Sequence, residues 1–335
     1  MDDIIDLELE KIEKIIAKID SDPESEEVKE AEKHLWEKIY KKSGQGRRTG
    51  VGITAEGDML AAMGLRYGTE EATEFSEQVH KTIALEAYRS SVNMAKERGA
   101  FAIYDSEREK NNPFINRLKE ADPELYEEMK KYGRRNIACL TIAPTGTTSL
   151  MTQTTSGIEP VFMPVYKRRR KVNPNDPQTH VDFVDETGDA FEEYIVFHHK
   201  FVEWMTVNGY DPTKRYTQEE IDKLVEKSPY YKATSNDVDW LMKVKMQGRI
   251  QKWVDHSISV TINLPNDVDE ALVNRLYVEA WRSGCKGCTV YRDGSRSGVL
   301  LSTKKDKKDK KEELPPCKPP TVVEVRPKVL EAEVV

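Results

Sequence analysis

Residues 137–150 read IACLTIAPTGTTSL, and this stretch limits the fold more than any other. Residues 137–142 form an apolar run too short for a helix and bounded by turn signals, the pattern of a strand buried on both faces. Pro144-Thr145-Gly146 then turns the chain, and Thr147, Thr148 and Ser149 open a helix. A buried strand feeding a helix through a tight turn belongs to an α/β fold with a largely parallel sheet. The flanking sequence agrees. Residues 43–68 read as a glycine-rich loop, a short buried strand and a helix, and residues 253–267 as a strand with a Pro-Asn-Asp turn. Residues 284–295 give another strand and turn, with helical patterns at 70–99, 106–133, 190–208, 217–227 and 268–283. Gly99 is placed to end its helix as a left-handed cap.

The N-terminus differs. Ile5, Leu9, Ile12, Ile16 and Ile19 make one apolar stripe, Pro23 suits the first turn of a second helix, and Val28, Ala31, Leu35 and Ile39 share a face of that helix. This predicts a helical hairpin packed on a larger body. The heptads stop too early for a coiled-coil arm. At the other end, KKDKKDKK at 304–311 and the Pro-, Val- and Glu-rich remainder bury too little apolar surface to offset ordering entropy, so 302–335 is expected to be a disordered tail or linker. The domain division expected is 1–46 helical, 47–301 α/β and 302–335 tail.

Composition excludes several classes. The chain is 38% hydrophobic and 33% charged with a net charge of −7, which argues against bulk nucleic-acid binding. No window approaches eighteen uninterrupted apolar residues, and the start MDDIIDLELEKIEK lacks the basic and apolar regions of a secretory signal, so a cytoplasmic protein is expected, with no DNA and no membrane among its partners. Four cysteines, Cys139, Cys285, Cys288 and Cys317, are too few for a disulfide scaffold.

Strand, glycine turn and helix start at Pro144, Thr145, Gly146, Thr147, Thr148 and Ser149 offer unpaired N–H groups, a partial positive charge and hydroxyl donors. That suits a phosphate. It is not a Walker A loop, since the lysine is missing. Ser and Thr also cap ordinary helices, so local physics leaves both readings open. Cys285-x-x-Cys288 opens a strand rather than a helix, and alternation predicts opposite faces, which favours packing over a redox pair. For a zinc site only His256 and Cys317 are available as further ligands, so no metal site is expected. The cations at 167–171 (KRRRK) are expected on a solvated face, and His198-His199 diverge on a helix.

Four blocks in fixed order carry a resemblance. RRTGVGITAEGDML (47–60), RRNIACLTIAPTGTTSLMTQTTSGIEPVF (134–162), SISVTINLPND (257–267) and GCKGCTVYRDGSR (284–296) resemble segments of ribonucleotide reductase large subunits. The wording is closest to the adenosylcobalamin-dependent (class II) enzymes. The strand at 289–292 has Val290-Tyr291 where the diiron class carries two adjacent tyrosines, and Tyr230-Tyr231 lies in a polar loop. The resemblance implies the later strands of a ten-stranded α/β barrel. It also implies a substrate-phosphate loop at Pro144–Ser149, adenosylcobalamin as cofactor, a ribonucleotide substrate and an external dithiol reductant.

The family's N-x-C-x-E finger loop, whose cysteine becomes the thiyl radical, is not present: Cys139 is flanked by Ile137 and Thr141, and Cys288 by Lys286 and Val290. No catalytic residue is therefore assigned within this chain. The expected partner is an N-terminal piece of the reductase bearing that cysteine, and Cys139 is expected to act as a small buried hydrophobe. The alternative is a catalytically silent nucleotide-binding or interaction fragment.

Overall fold

The structure is a computed structural model and describes residues 1–172, 180–184 and 189–295. The expected tail at 302–335 lies outside the described residues.

Two helices, α1 (Asp2–Ile19) and α2 (Glu26–Gly46), form the N-terminal hairpin. The α1 stripe is as expected, with Ile5, Ile12 and Ile19 buried. The α2 stripe is not. Val28 and Leu35 are exposed, while Trp36, Ile39 and Tyr40 are half-buried. The larger aromatic side chains rotate the packed face, and the Tyr40 hydroxyl donates to Glu13 of α1 at 2.7 Å. The hairpin is anchored through Asp2, a buried carboxylate that accepts from Arg47 at 2.8 Å, Arg135 at 2.9 Å and Asn136 at 3.1 Å. Against the cost of burial, Arg47 and Arg135 hold its carboxyl below the usual carboxylate range.

Next come α3 (Glu56–Ala62) and the long α4 (Glu70–Arg98), capped by the Thr69 hydroxyl. Gly99 has φ 85° but ψ 154°, so it ends α4 without the expected left-handed cap. The helical stretch expected at 106–133 is three helices, α5 (Ser106–Glu109), α6 (Pro113–Ala121) and α7 (Pro123–Tyr132). Asn112-Pro113 and Asp122-Pro123 each supply a capping carboxyl or amide oxygen and a proline at the first helical position, and so restart the helix.

The parallel arrangement is present as a staggered series of short pairings. Val51 bridges Leu140, Ile142 bridges Ile258, and β4 (Thr261–Leu264) pairs in parallel with β5 (Thr289–Arg292). Close approach is built in at Gly52, where a Cβ would sit 2.1 Å from the Thr141 carbonyl oxygen. Cys139, Leu140, Ile142, Ile258 and Val260 enter one core with Leu60, Tyr88 and Ile250.

One element departs from expectation. Three segments form an antiparallel sheet in the order β1 (Val165–Val172), β3 (Ala190–Phe197), β2 (Phe183–Val184). The helix expected over 190–208 therefore begins only at α9 (His199–Val207). AFEEYIVF is rich in aromatic and β-branched residues, and pairing with 165–172 overrides the helical reading. The remaining helices are α8 (Gly146–Thr152), α10 (Gln218–Lys227), α11 (Trp240–Gln251) and α12 (Glu270–Arg282), with α11 packed between α4 and α12. No described helix is long and apolar enough to cross a membrane.

Candidate functional site

The loop 143–145 leaves the end of the strand at Ile142 and enters α8. Behind it, Asp255 fixes the strand: its carboxylate accepts from the backbone N–H groups of Cys139 at 2.7 Å and Leu140 at 2.9 Å, and from the Tyr88 hydroxyl at 2.8 Å. An open cleft of about 430 Å³ lies alongside, lined by Thr141–Pro144, Ser257–Val260 and Gly287–Thr289.

The turn itself is made by Thr145, with φ 48° and ψ 23°. The motif alone points to Gly146 for that role. A Cβ at Gly146 would meet nothing within 4 Å, so its lack of a side chain leaves space outside the protein rather than relieving a clash within it. The six candidates divide by environment. Thr145 Oγ1 accepts from the Gly157 N–H at 2.7 Å, and Ser149 is buried and donates to the Gly146 carbonyl at 2.8 Å. Both hydroxyls are engaged internally. Pro144, Gly146, Thr147 and Thr148 are exposed. The outward groups are thus the Thr147 and Thr148 hydroxyls together with the first N–H groups of α8, which have no partner within the helix.

A second set of polar residues, not found from sequence, supports the segment that returns behind the loop. Asp58 on α3 is buried and accepts from the Thr155 N–H at 2.8 Å, the Tyr230 hydroxyl at 2.9 Å and pairs with His198 Nε2 at 2.8 Å. Glu159 accepts from Lys243 at 2.5 Å and from the Thr261 N–H at 2.6 Å, and the buried Lys243 also donates to the Thr261 carbonyl at 2.6 Å. The only local signal was acidic residues inside otherwise apolar stretches such as AEGDML.

The other sequence candidates are structural. Cys139 is buried, and burial pushes its thiol up to about 12. Cys285 and Cys288 both pack against the cluster of Val244, Ile262 and Leu276. They precede β5, so strand alternation does not apply and the expected opposite faces are not seen. Lys171 pairs with Asp189 at 2.5 Å and Arg170 with Glu192 at 2.6 Å, so the basic run lies on a sheet that carries its own counter-charges. His198 is the cap residue before α9 rather than a helical one, and its ring faces Asp58. Tyr230 is buried on the same carboxylate, and Tyr231 lies under Arg66 and Lys232. Among the described residues the one acidic cluster with metal-ligand spacing is Asp2, Asp3 and Asp6, which the arginines already neutralise.

Comparison with known proteins matches residues 25–291 to the family described as ribonucleotide reductase, barrel domain. The vitamin B12-dependent ribonucleoside-diphosphate reductase of Mycobacterium tuberculosis (strain CDC 1551 / Oshkosh) is 30% identical over 264 residues, covering 77% of this chain and 33% of that protein. The enzyme of the same name from Thermoplasma acidophilum is 30% identical over 292 residues, covering 86% and 34%. The chain therefore spans about a third of the length of these curated relatives. Among solved structures, the Actinobacillus ureae class Id ribonucleotide reductase alpha subunit superposes with a TM-score of 0.51 at 16% identity, over 76% of this chain and 41% of that one, a likeness of fold alone. On the extent of the family match and the identity to its relatives, this chain belongs to the ribonucleotide reductase barrel-domain family.

Proposed function

We propose that this chain supplies the later strands and the substrate-phosphate loop of a ribonucleotide reductase of the adenosylcobalamin-dependent class, converting ribonucleotides to 2′-deoxyribonucleotides by thiyl-radical chemistry. The observation that carries this reading is the division of labour within residues 144–149. Thr145 and Ser149 are engaged inside the protein, while Thr147, Thr148 and Gly146 are exposed, and the cleft's lining reaches the loop at Pro144. Such a loop offers an anion several donors without a Cβ in the way.

The same reading places 47–301 in a ten-stranded barrel, with 1–46 as a helical addition and 302–335 as a tether. The radical cysteine and its flanking Asn and Glu are proposed to come from outside residues 1–335, because none of the four cysteines here stands in N-x-C-x-E. The Mycobacterium and Thermoplasma relatives are named as vitamin B12-dependent, which supports adenosylcobalamin as the cofactor. The cleft beside the loop, about 430 Å³ and open, is too small to enclose a corrin ring with its adenosyl group, so the cofactor's seat is proposed to be completed by another part of the barrel. An external dithiol would supply the reducing electrons. The absence of N-x-C-x-E also favours a second reading, a silent nucleotide-binding or interaction module.

The test is reconstitution with an N-terminal reductase piece that carries the finger loop, followed by calorimetry with ribonucleotide. Tight binding that Gly146→Val removes supports the first reading. Binding indifferent to Gly146→Val would remove the loop from the site.

A further inference from the structure

Thr145 is a β-branched residue in the left-handed region, with φ 48°. Residues of this type adopt that conformation only where their surroundings over-determine it. The surroundings are legible from the hydrogen bonds. Thr54 Oγ1 lies 3.1 Å from the Thr155 carbonyl oxygen and 3.2 Å from Thr145 Oγ1. A carbonyl can only accept, so the single hydroxyl hydrogen of Thr54 goes to Thr155. Thr54 Oγ1 must then accept from Thr145, while Thr145 Oγ1 accepts from the Gly157 N–H at 2.7 Å. The result is one directional chain, Gly157 N–H to Thr145 hydroxyl to Thr54 hydroxyl to Thr155 carbonyl, in which each hydroxyl hydrogen is used once.

The frame on which Thr54 stands is itself laced to the returning segment. The Ala55 N–H donates to the Thr155 carbonyl at 2.9 Å and the Glu56 N–H to the Gly157 carbonyl at 3.2 Å. Asp58 and Thr155 exchange two further bonds, N–H to Oγ1 at 3.2 Å and N–H to Oδ2 at 2.8 Å. The anchor points of the Thr145 hydroxyl are therefore fixed before the loop is reached.

We propose that Thr54 is a positioning residue for the phosphate loop. Its hydroxyl locks Thr145 in the left-handed turn from which the first N–H groups of α8 and the hydroxyls of Thr147 and Thr148 face the anion. This rests on the reading of residues 144–149 as the phosphate loop. It assigns the Thr145 side chain to loop geometry rather than to phosphate contact, since its hydroxyl has no hydrogen left to donate.

The experiment is an NMR titration of the full chain with cytidine diphosphate and, separately, with cytidine, which detects weak binding as well as tight. Thr54→Val removes the hydroxyl at nearly constant volume, Thr54→Ser keeps it, and Thr54→Ala, which only removes atoms, is the second variant should valine disturb the fold. Expected is a loss of about tenfold in diphosphate affinity for Thr54→Val and Thr54→Ala, the scale of one to two lost hydrogen bonds. Cytidine affinity should be unchanged, diphosphate affinity should recover in Thr54→Ser, and amide exchange should be faster at Gly157 and Ser149. Gly146→Val is the control on the underlying reading. If Gly146→Val abolishes diphosphate binding while Thr54→Val and Thr54→Ala bind as the wild type does, the positioning role is wrong and the phosphate loop stands. If the loop resonances ignore cytidine diphosphate, or Gly146→Val changes nothing, both fall.

Discussion

Arg134 and Glu109 form a two-pronged ion pair: both terminal nitrogens of the guanidinium reach carboxylate oxygens at 2.6 Å. The arginine side chain is 2% exposed, and its charge lies over the rings of Tyr88, Phe101 and Tyr104 at 5.3–5.7 Å. The pair closes α5 onto the start of the strand that leads to the proposed phosphate loop, through further bonds to the Asn136 and Ile137 carbonyls. Lysine cannot reproduce a planar fork. Arg134→Lys keeps the charge but loses the fork and its carbonyl bonds, and should therefore destabilise the chain by about 2 kcal/mol, the scale of hydrogen bonds to a charged group. Urea unfolding measures it, and a change under about 1 kcal/mol would mean that the pair is replaceable.

The thiols should be slow to react. Burial pushes both Cys139 and Cys285 up to about 12, with the neighbouring Cys288 adding to the effect at Cys285. At pH 8 almost no thiolate is present at either, so alkylation of the folded chain should be far slower than in urea, slowest at Cys139. Peptide mass spectrometry after timed labelling reads this out. Native labelling of Cys139 at the unfolded rate would contradict its burial.

Glu56 should weaken the fold as pH rises. Its carboxyl is fully buried and makes no hydrogen bond of good geometry among the described residues. Burial pushes it above the usual carboxylate range, which His80 and Ser76 only partly offset. The folded state thus holds a proton that the unfolded state has released, in the window between the ordinary value and the raised one. Stability must fall as pH rises through that window. Glu56→Leu removes the dependence and should stabilise the chain by about 1–3 kcal/mol at pH 8, the cost of an unsatisfied buried polar group. Thermal melts from pH 5 to 8 on both proteins test this. Parallel curves would show that Glu56 has the same affinity for protons in both states.

Much of the frame was legible in the sequence because it depends on neighbours along the chain. The α1 stripe, the buried run at 137–142 and the strands at 261–264 and 289–292 each follow from local periodicity and turn residues. The β1–β3 sheet was not legible, since FEEYIVF reads as strand only once it is known to pair with 165–172. The turn and helix start at 144–149 were legible in the motif, but the surroundings of each residue were not. Which threonines face outward depends on partners 12 and 91 residues away, Gly157 and Thr54, and Asp255 acts on backbone groups 115 and 116 residues distant.

The outward threonines give a graded prediction. In the reconstituted complex, Thr147→Ala and Thr148→Ala should each weaken ribonucleotide binding by about 1 kcal/mol or somewhat more, the scale of a hydrogen bond to a charged group. Thr148 and Thr147 are exposed, so thermal stability should hardly move. Calorimetry with nucleotide and a melt of each variant separate the two effects. Equal losses in stability and affinity would make these residues structural.

On the function proposed above, this chain contributes the phosphate loop to a reductase whose radical cysteine lies elsewhere. Deoxyribonucleotide formation tests it most directly, assayed with adenosylcobalamin and a dithiol, with and without an N-terminal piece bearing N-x-C-x-E. Breaking the ribose 3′ C–H bond requires a positioned thiyl radical, and none of the four cysteines here has the flanking Asn and Glu. Expected are no product from this chain alone, product on adding the partner, and loss of that product in Gly146→Val. Robust turnover by the isolated chain, or full activity of the Gly146→Val complex, would contradict it.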